Sequence, residues 1–183
     1  MVLRAHVRFQ ADDIWDTPED GNRYEVIDGA LYITPLPNMA HQIALSALIG
    51  HMWVYVDERK LGQVIPSLTA VVLDEEICVQ PDLGFISRER MHIISERGIE
   101  GAPDLVVEVL SPQTESRDRG VKMKRYAAAG IPYYWIVVPR TRGIEEYRLT
   151  PSGYDRIGTH GRADMFRPEL FPGLEIPVNR LWE

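Results

Sequence analysis

Cysteine is almost missing from this chain: Cys78 stands alone, which excludes an internal disulfide and any metal site built on clustered thiolates. Its context, "EEICVQPD", reads as a strand, so an ordinary buried thiol is expected there. Long apolar runs are also missing. No stretch approaches the roughly 20 apolar residues of a membrane span, and the opening "MVLRAHVRFQADDIW" lacks the apolar core of a secretory signal; a cytoplasmic location and no membrane partner are the expectation. Repeats, low-complexity tracts and Ser/Gly-rich linkers are absent, so the 183 residues are expected to form one domain, 1–183, large enough for a real core. Positive charge is in short supply. The formal net charge of -7 repels a polyanion at long range, so any nucleic-acid contact must rest on a local basic patch. No G-x-S-x-G elbow or G-x-x-x-x-G-K loop supports a serine hydrolase or a nucleotide-binding P-loop. His41 and His51 fall about 280° apart around a helix, which is not the pairing of a helical zinc motif.

What is present is an intermixed series of strand and helix signals, which predicts an α/β or α+β fold. "RYEVIDGALYI" alternates on either side of Asp28-Gly29, the dipeptide suited to a tight hairpin turn. Asn38 can cap a helix in which Leu45, Leu48, Ile49, Met52, Trp53 and Val56 recur at helical spacing, ending near Leu61-Gly62. "TAVVLD" and "ICVQPDLGFI" read as two strands at the centre of a sheet, with "DLVVEVL" as the next. Residues 114–129 turn helical and stop at Gly130 with Pro132 just beyond, Ser111-Pro112 serving as N-cap and first position. Strands "YYWIVV" and "GIEEYRL" follow. The aromatic residues Tyr133, Tyr134 and Trp135 suit a core or subunit surface better than a base-stacking platform.

Chemistry concentrates in carboxylates. In the strand "DLVVEVL", Asp104, Val106, Glu108 and Leu110 share one face, and Leu105, Val107 and Val109 share the other. An unpaired buried carboxylate costs several kcal/mol, so Glu108 requires a cation, donors or water. One reading is an Arg or Lys partner or an edge facing solvent; the other is a metal ligand, which needs a second acid close by. Asp104 is too far along the same strand, roughly 13 Å at about 3.3 Å per residue. Asp82, in "QPDLGF", lies on another strand and can be brought beside Glu108 by sheet pairing. Two carboxylates suffice for Mg2+, which keeps several waters and can polarise a phosphodiester while activating bound water. Glu25, from the hairpin, is a candidate third acidic oxygen, or a cross-strand partner for Arg23 or another cation.

"RDRGVKMKR" gathers Arg117, Arg119, Lys122, Lys124 and Arg125. These could hold phosphate oxygens, or form a solvated helix face with Asp118 and Lys122 paired at i,i+4. Lys122 borders the inner face formed by Met123, Tyr126 and Ala127, whereas Lys124 points away. Lys122 is therefore the candidate base or electrostatic residue, reaching the carboxylates along the apolar seam. His41 lies on the helix stripe with Leu45, Leu48 and Met52, as a packed or capping histidine or as a functional one.

The motifs "RYEVIDGALYI", "HQIALSALIGHM", "VQPDLGFIS", "GAPDLVVEVLSPQTESRDRGVKMKRYAAAGIPYYWIVVP" and "FPGLEIP" together resemble the Uma-type restriction endonuclease family, over nearly the whole chain from about Asp12. The resemblance implies a PD-(D/E)XK nuclease fold: a mixed central sheet flanked by helices, with the N-terminal β-hairpin. It also implies Mg2+-dependent phosphodiester hydrolysis, with Mn2+ as a substitute, and a homodimer acting on nucleic acid, DNA in particular. By the same resemblance Asp82 matches the first acid, Glu108 the second and Glu25 the early helper acid. Lys122 matches a lysine displaced onto the following helix, since Leu110 occupies the usual lysine place. Tyr133 and Val138 stand where the family pattern has acids. The competing reading is a binding or assembly module that keeps the nuclease architecture without turnover, with Glu108 neutralised by Lys122 or an arginine.

Overall fold

Asp28 and Gly29 shape the first sheet. Both adopt positive φ, 57° and 74°, as a two-residue hairpin turn requires. The strand β1 (Arg23–Ile27) therefore folds straight back on β2 (Ala30–Thr34), with Ile27 opposite Ala30. The computed structural model describes residues 7–67 and 69–183; the first six residues of the opening segment read above lie outside it.

Asn38 Oδ1 accepts the His41 backbone N–H at 3.0 Å and starts helix α1 (Met39–Arg59), which ends where Lys60 turns left-handed. Leu45, Leu48, Met52, Tyr55 and Val56 form its buried stripe. Trp53, expected on that stripe, is 55% exposed, because it stands about 100° around the helix from Met52.

Met165–Phe166 pairs with Ile176–Pro177 as a separate two-stranded ribbon, and the other described strands divide between two main sheets. The smaller runs β2-β1-β5-β4-β7, where β4 is Val71–Asp74, β5 Ile77–Val79 and β7 Ile99–Glu100. The larger runs β11-β10-β9-β8-β6-β3. Its members are β3 (Gly62–Pro66), β6 (Leu83–Ser87), β8 (Leu105–Val109), β9 (Tyr133–Val138), β10 (Gly143–Thr150) and β11 (Gly153–His160). "ICVQPDLGFI" is thus two strands and not one. Pro81 has no N–H to give a ladder, and at Gln80-Pro81-Asp82 the chain leaves the smaller sheet and enters the larger. "TAVVLD" correspondingly lies in the smaller sheet, away from the centre of the larger.

Strand β8 is antiparallel to β6 and parallel to β9. The parallel link requires a crossover, supplied by α2 (Glu115–Arg117), a π turn (Asp118–Lys122) and α3 (Met123–Ala128) in succession. The helix therefore starts at Glu115. Ser111 forms a turn before it, its Oγ accepting the Thr114 backbone N–H at 3.2 Å.

The alternation along β8 sorts its side chains as the sequence implies. Leu105, Val107 and Val109 pack with Leu45, Leu48, Met52 and Trp135 under α1. Val106 and Leu110 pack with Tyr126, Tyr134 and residues of the smaller sheet on the opposite face. The result is the expected mixed central sheet flanked by helices. Among the described residues no helix is long and apolar enough to cross a membrane.

The turn from α1 into β3 admits no side chain at Gly62, where a Cβ would stand 2.0 Å from the Ile86 carbonyl oxygen and 2.9 Å from Ser87 Cα. Gly62→Ala is expected to lower stability by at least ~2 kcal/mol, read as a lowered urea midpoint with unchanged slope.

Candidate active site

The acid that ends the crossing segment meets the acid near the end of β8. The antiparallel register pairs Leu83 with Val107; one step further sets Asp82 opposite Glu108, and opposed residues share a face. The Val109 backbone N–H donates to Asp82 Oδ2 at 2.7 Å, which ties the acid to β8 directly. His41 Nε2, from the first turn of α1, lies 3.1 Å from the same oxygen. Arg23, from β1, donates to Asp82 Oδ1 at 2.6 Å. Three elements thus converge on one carboxylate.

Glu108 is anchored from the opposite side. Its Oε1 accepts from Tyr126 Oη at 2.7 Å and lies 2.5 Å from Lys122 Nζ. Among the described residues no hydrogen bond reaches Oε2. Lys122 also donates to Glu25 Oε1 at 2.7 Å, and Asp118 Oδ1 is 4.0 Å away. Glu25 accepts in addition from the Gln80 backbone N–H at 2.9 Å, while its Oε2 lies 3.2 Å from Arg117. Lys122 and Asp118, four residues apart on the π turn, are both buried, and such turns recur at functional sites.

A cavity of about 130 Å³ opens against this cluster, walled by Arg23, His41, Asp82, Glu108, Ser111 and Arg117 among others. Lys122 and Glu25 are not on its wall; they stand behind Glu108.

Charge sets the protonation states. Burial raises the Asp82 carboxyl, but the His41 hydrogen bond and the Arg23 charge outweigh it and hold the group well below the usual carboxylate range. Burial pushes Glu108 up to about 8; Lys122 opposes this, while Asp118, Asp82 and Glu25 add to it. Burial would lower Lys122, yet Glu108 and Glu25 prevail and raise it above its ordinary value. A base must titrate near the working pH, so of the two roles read for Lys122 the structure favours the electrostatic one. Burial would raise Glu25, but Lys122, Arg117 and Arg23 keep it ionised.

A divalent cation fits this donor set. Asp82 and Glu108 both line the cavity, and among the described residues Glu108 Oε2 has no donor. No group of three or more His, Cys, Asp or Glu side chains gathers as a full cage among the described residues. Two carboxylates that leave other positions to water and substrate are a donor set that a hard divalent cation can use.

Of the candidate residues, the structure brings Asp82, Glu108, Lys122 and Glu25 into one cluster, and His41 joins it. Asp104 lies at the other end of β8, accepting from the Ser87 backbone N–H at 2.8 Å and from Arg90 at 3.0 Å. The basic helix is not a free patch: Arg117 reaches Thr34 and Glu25, Arg119 grips Glu145, and Arg125 pairs with Asp28. Only Lys124 among those five is exposed. Sequence reasoning missed Arg23 as the Asp82 partner, and Tyr126 as a donor to Glu108. Arg23 stands two residues before Glu25 on one strand, so it shares that face; this was the available signal. Tyr133 lies opposite Leu105, three rows from the Glu108 row, and reaches Glu169 at 3.0 Å, so its departure from the family pattern does not touch the acids.

Residues 11–179 match the family model described as "Uma2: Putative restriction endonuclease". The chain belongs to the Uma2 family. The fold of this Uma2 chain matches the crystal structure of a "putative nuclease belonging to DUF820" from Anabaena variabilis, with TM-score 0.77 at 18% identity over 95% of this chain and 97% of that one. The type IIG restriction endonuclease BpuSI is similar at TM-score 0.44 and 15% identity, over 80% of this chain and 16% of that one; a score that low carries no argument. No curated protein matches the chain. The first two comparisons assign a restriction-endonuclease-like fold and a nuclease family.

Two substitutions test the charge balance of the cluster. Lys122→Met leaves Glu25 and Glu108 buried without their cation and is expected to cost about 3–5 kcal/mol. Glu108→Gln keeps the shape and removes an acid whose charged form burial disfavours. Folded Glu108 binds its proton more tightly than the unfolded chain does, so the metal-free fold loses stability as pH rises from 4.5 to about 8. Urea unfolding at pH 5, 6.5 and 8 should show that decline in the parent and a flatter profile in Glu108→Gln.

Proposed function

We propose that this Uma2 protein is a metal-dependent endonuclease that hydrolyses phosphodiester bonds in DNA, using Mg2+ or in its place Mn2+. One observation carries the reading: Asp82 and Glu108 oppose each other across neighbouring strands, on a cavity wall that also presents two arginines. Restriction-endonuclease kinship favours DNA over RNA. The reading includes a homodimer and a cytoplasmic setting, both expected from the family resemblance and the sequence.

In this reading Asp82 and Glu108 hold the cation. When bound, it polarises the scissile phosphodiester and makes a coordinated water easier to deprotonate. The protein's own residues supply the rest. Lys122 keeps an ammonium against Glu108 and so favours the ionised carboxylate a cation needs. Glu25 sits behind Lys122 and fixes that ammonium, acting as a positioning residue and not as a third ligand. His41 and the Val109 N–H orient Asp82, the kind of support that metal-binding carboxylates require. Arg23 and Arg117 present guanidinium groups to the cavity, and guanidinium matches phosphate geometry.

A binding or assembly role without turnover is favoured by one feature: both Asp82 oxygens already carry protein donors. Incubation with supercoiled and linear DNA distinguishes the two. The parent is expected to nick supercoiled DNA with Mg2+ or Mn2+ and not with EDTA, and Glu108→Gln and Asp82→Asn to lose at least about 100-fold in rate, of the order seen when a key electrostatic group is removed. Nicking that is absent, or equal in the variants, overturns the enzyme reading.

A further inference from the structure

The buried cluster holds four carboxylates, Glu25, Asp82, Glu108 and Asp118. Facing them are three permanent cations: Lys122 inside, and Arg23 and Arg117 at the cavity wall, their side chains 12% and 13% exposed. These three differ in how firmly they are held. Lys122 bridges two acids from behind the wall. Arg117 sets one nitrogen, Nη2, against both Thr34 Oγ1 and Glu25 Oε2, so two partners hold it. Arg23 has one recorded anchor among the described residues, Asp82 Oδ1.

That anchor is the carboxylate assigned to the cation. The oxygen that Arg23 occupies is also the only Asp82 oxygen not shared by His41 and the Val109 N–H. A guanidinium on that oxygen supplies positive charge where the ion would otherwise supply it. Both cannot sit close to the same oxygen without like-charge repulsion in a poorly solvated site.

We propose, resting on the metal-site reading above, that Arg23 is a built-in counter-cation of the metal-free protein, released from Asp82 on metal loading to grip a substrate phosphodiester. With four ionised acids, three protein cations and one divalent ion, the cluster carries one net positive charge. A single phosphodiester neutralises it. Metal loading thus creates both the free guanidinium and the electrostatic demand for the phosphate, so cation and nucleic acid bind with positive coupling, which is reciprocal by linkage.

The test is Mn2+ binding by calorimetry without nucleic acid, together with anisotropy of a labelled 20-base-pair duplex in Ca2+ or EDTA. Arg23→Gln should bind Mn2+ at least about fivefold more tightly than the parent, because no internal cation competes, while the Ca2+-dependent gain in duplex affinity disappears. Arg23→Lys keeps the charge without the fork. It should bind Mn2+ within about threefold of the parent and still lose most of that gain, so it decides the matter if Arg23→Gln does not fold. Unchanged or weaker Mn2+ binding by Arg23→Gln, with Glu108→Gln binding none, overturns the exchange alone. If Glu108→Gln binds Mn2+ as the parent does, the metal-site reading falls and the exchange falls with it.

Discussion

Lys122 Nζ lies 2.7 Å from Glu25 and 2.5 Å from Glu108, and that ammonium joins parts of the chain that no hydrogen-bond ladder connects. Glu25 belongs to the smaller sheet, Glu108 to the larger, and Lys122 to the π turn of the crossover helix. A lysine that is 1% exposed must find anionic partners or lose its charge. Meeting that demand fixes how the hairpin sheet, β8 and the helix lie against one another. Tyr126 Oη completes the arrangement by occupying the same Glu108 oxygen as the ammonium, and among the described residues the other oxygen has no donor.

The cluster is also overloaded with acid. Four buried carboxylates face three permanent cations, and burial, with Asp118, Asp82 and Glu25 adding to it against Lys122, raises Glu108. Such a site is strained toward taking up positive charge, whether as a proton or as a divalent ion. Asp82 answers the same pressure with Arg23 and His41. The two acids that oppose each other across β6 and β8 are therefore solved differently: one is saturated with donors, the other keeps a vacant oxygen.

Much of this was legible in the sequence because period-2 alternation is a strong signal. It set Glu108 on the strand face opposite Leu105, Val107 and Val109, and put the hairpin turn at Asp28-Gly29. The proline before Asp82 marked a boundary, yet "ICVQPDLGFI" still read as one strand, since alternation cannot report which sheet a strand joins. The basic helix misled for a related reason. Composition shows five cations in nine positions but not their partners, and Arg117, Arg119 and Arg125 are spent on acids distant in sequence. Regular helix geometry set Lys122 at the border of an inner face, and the folded chain buries it completely. The Arg23 to Asp82 pair spans 59 positions, a separation at which sequence spacing offers no guide.

The central claim is that Asp82 and Glu108 share one divalent ion. Crystals soaked in Mn2+ and measured for anomalous scattering test it most directly. The account predicts a single strong peak between these two carboxylates, bonded to Glu108 Oε2, with Lys122 still against Oε1. An empty site at millimolar Mn2+, or a peak bound elsewhere with Arg23 still on Asp82, would contradict it.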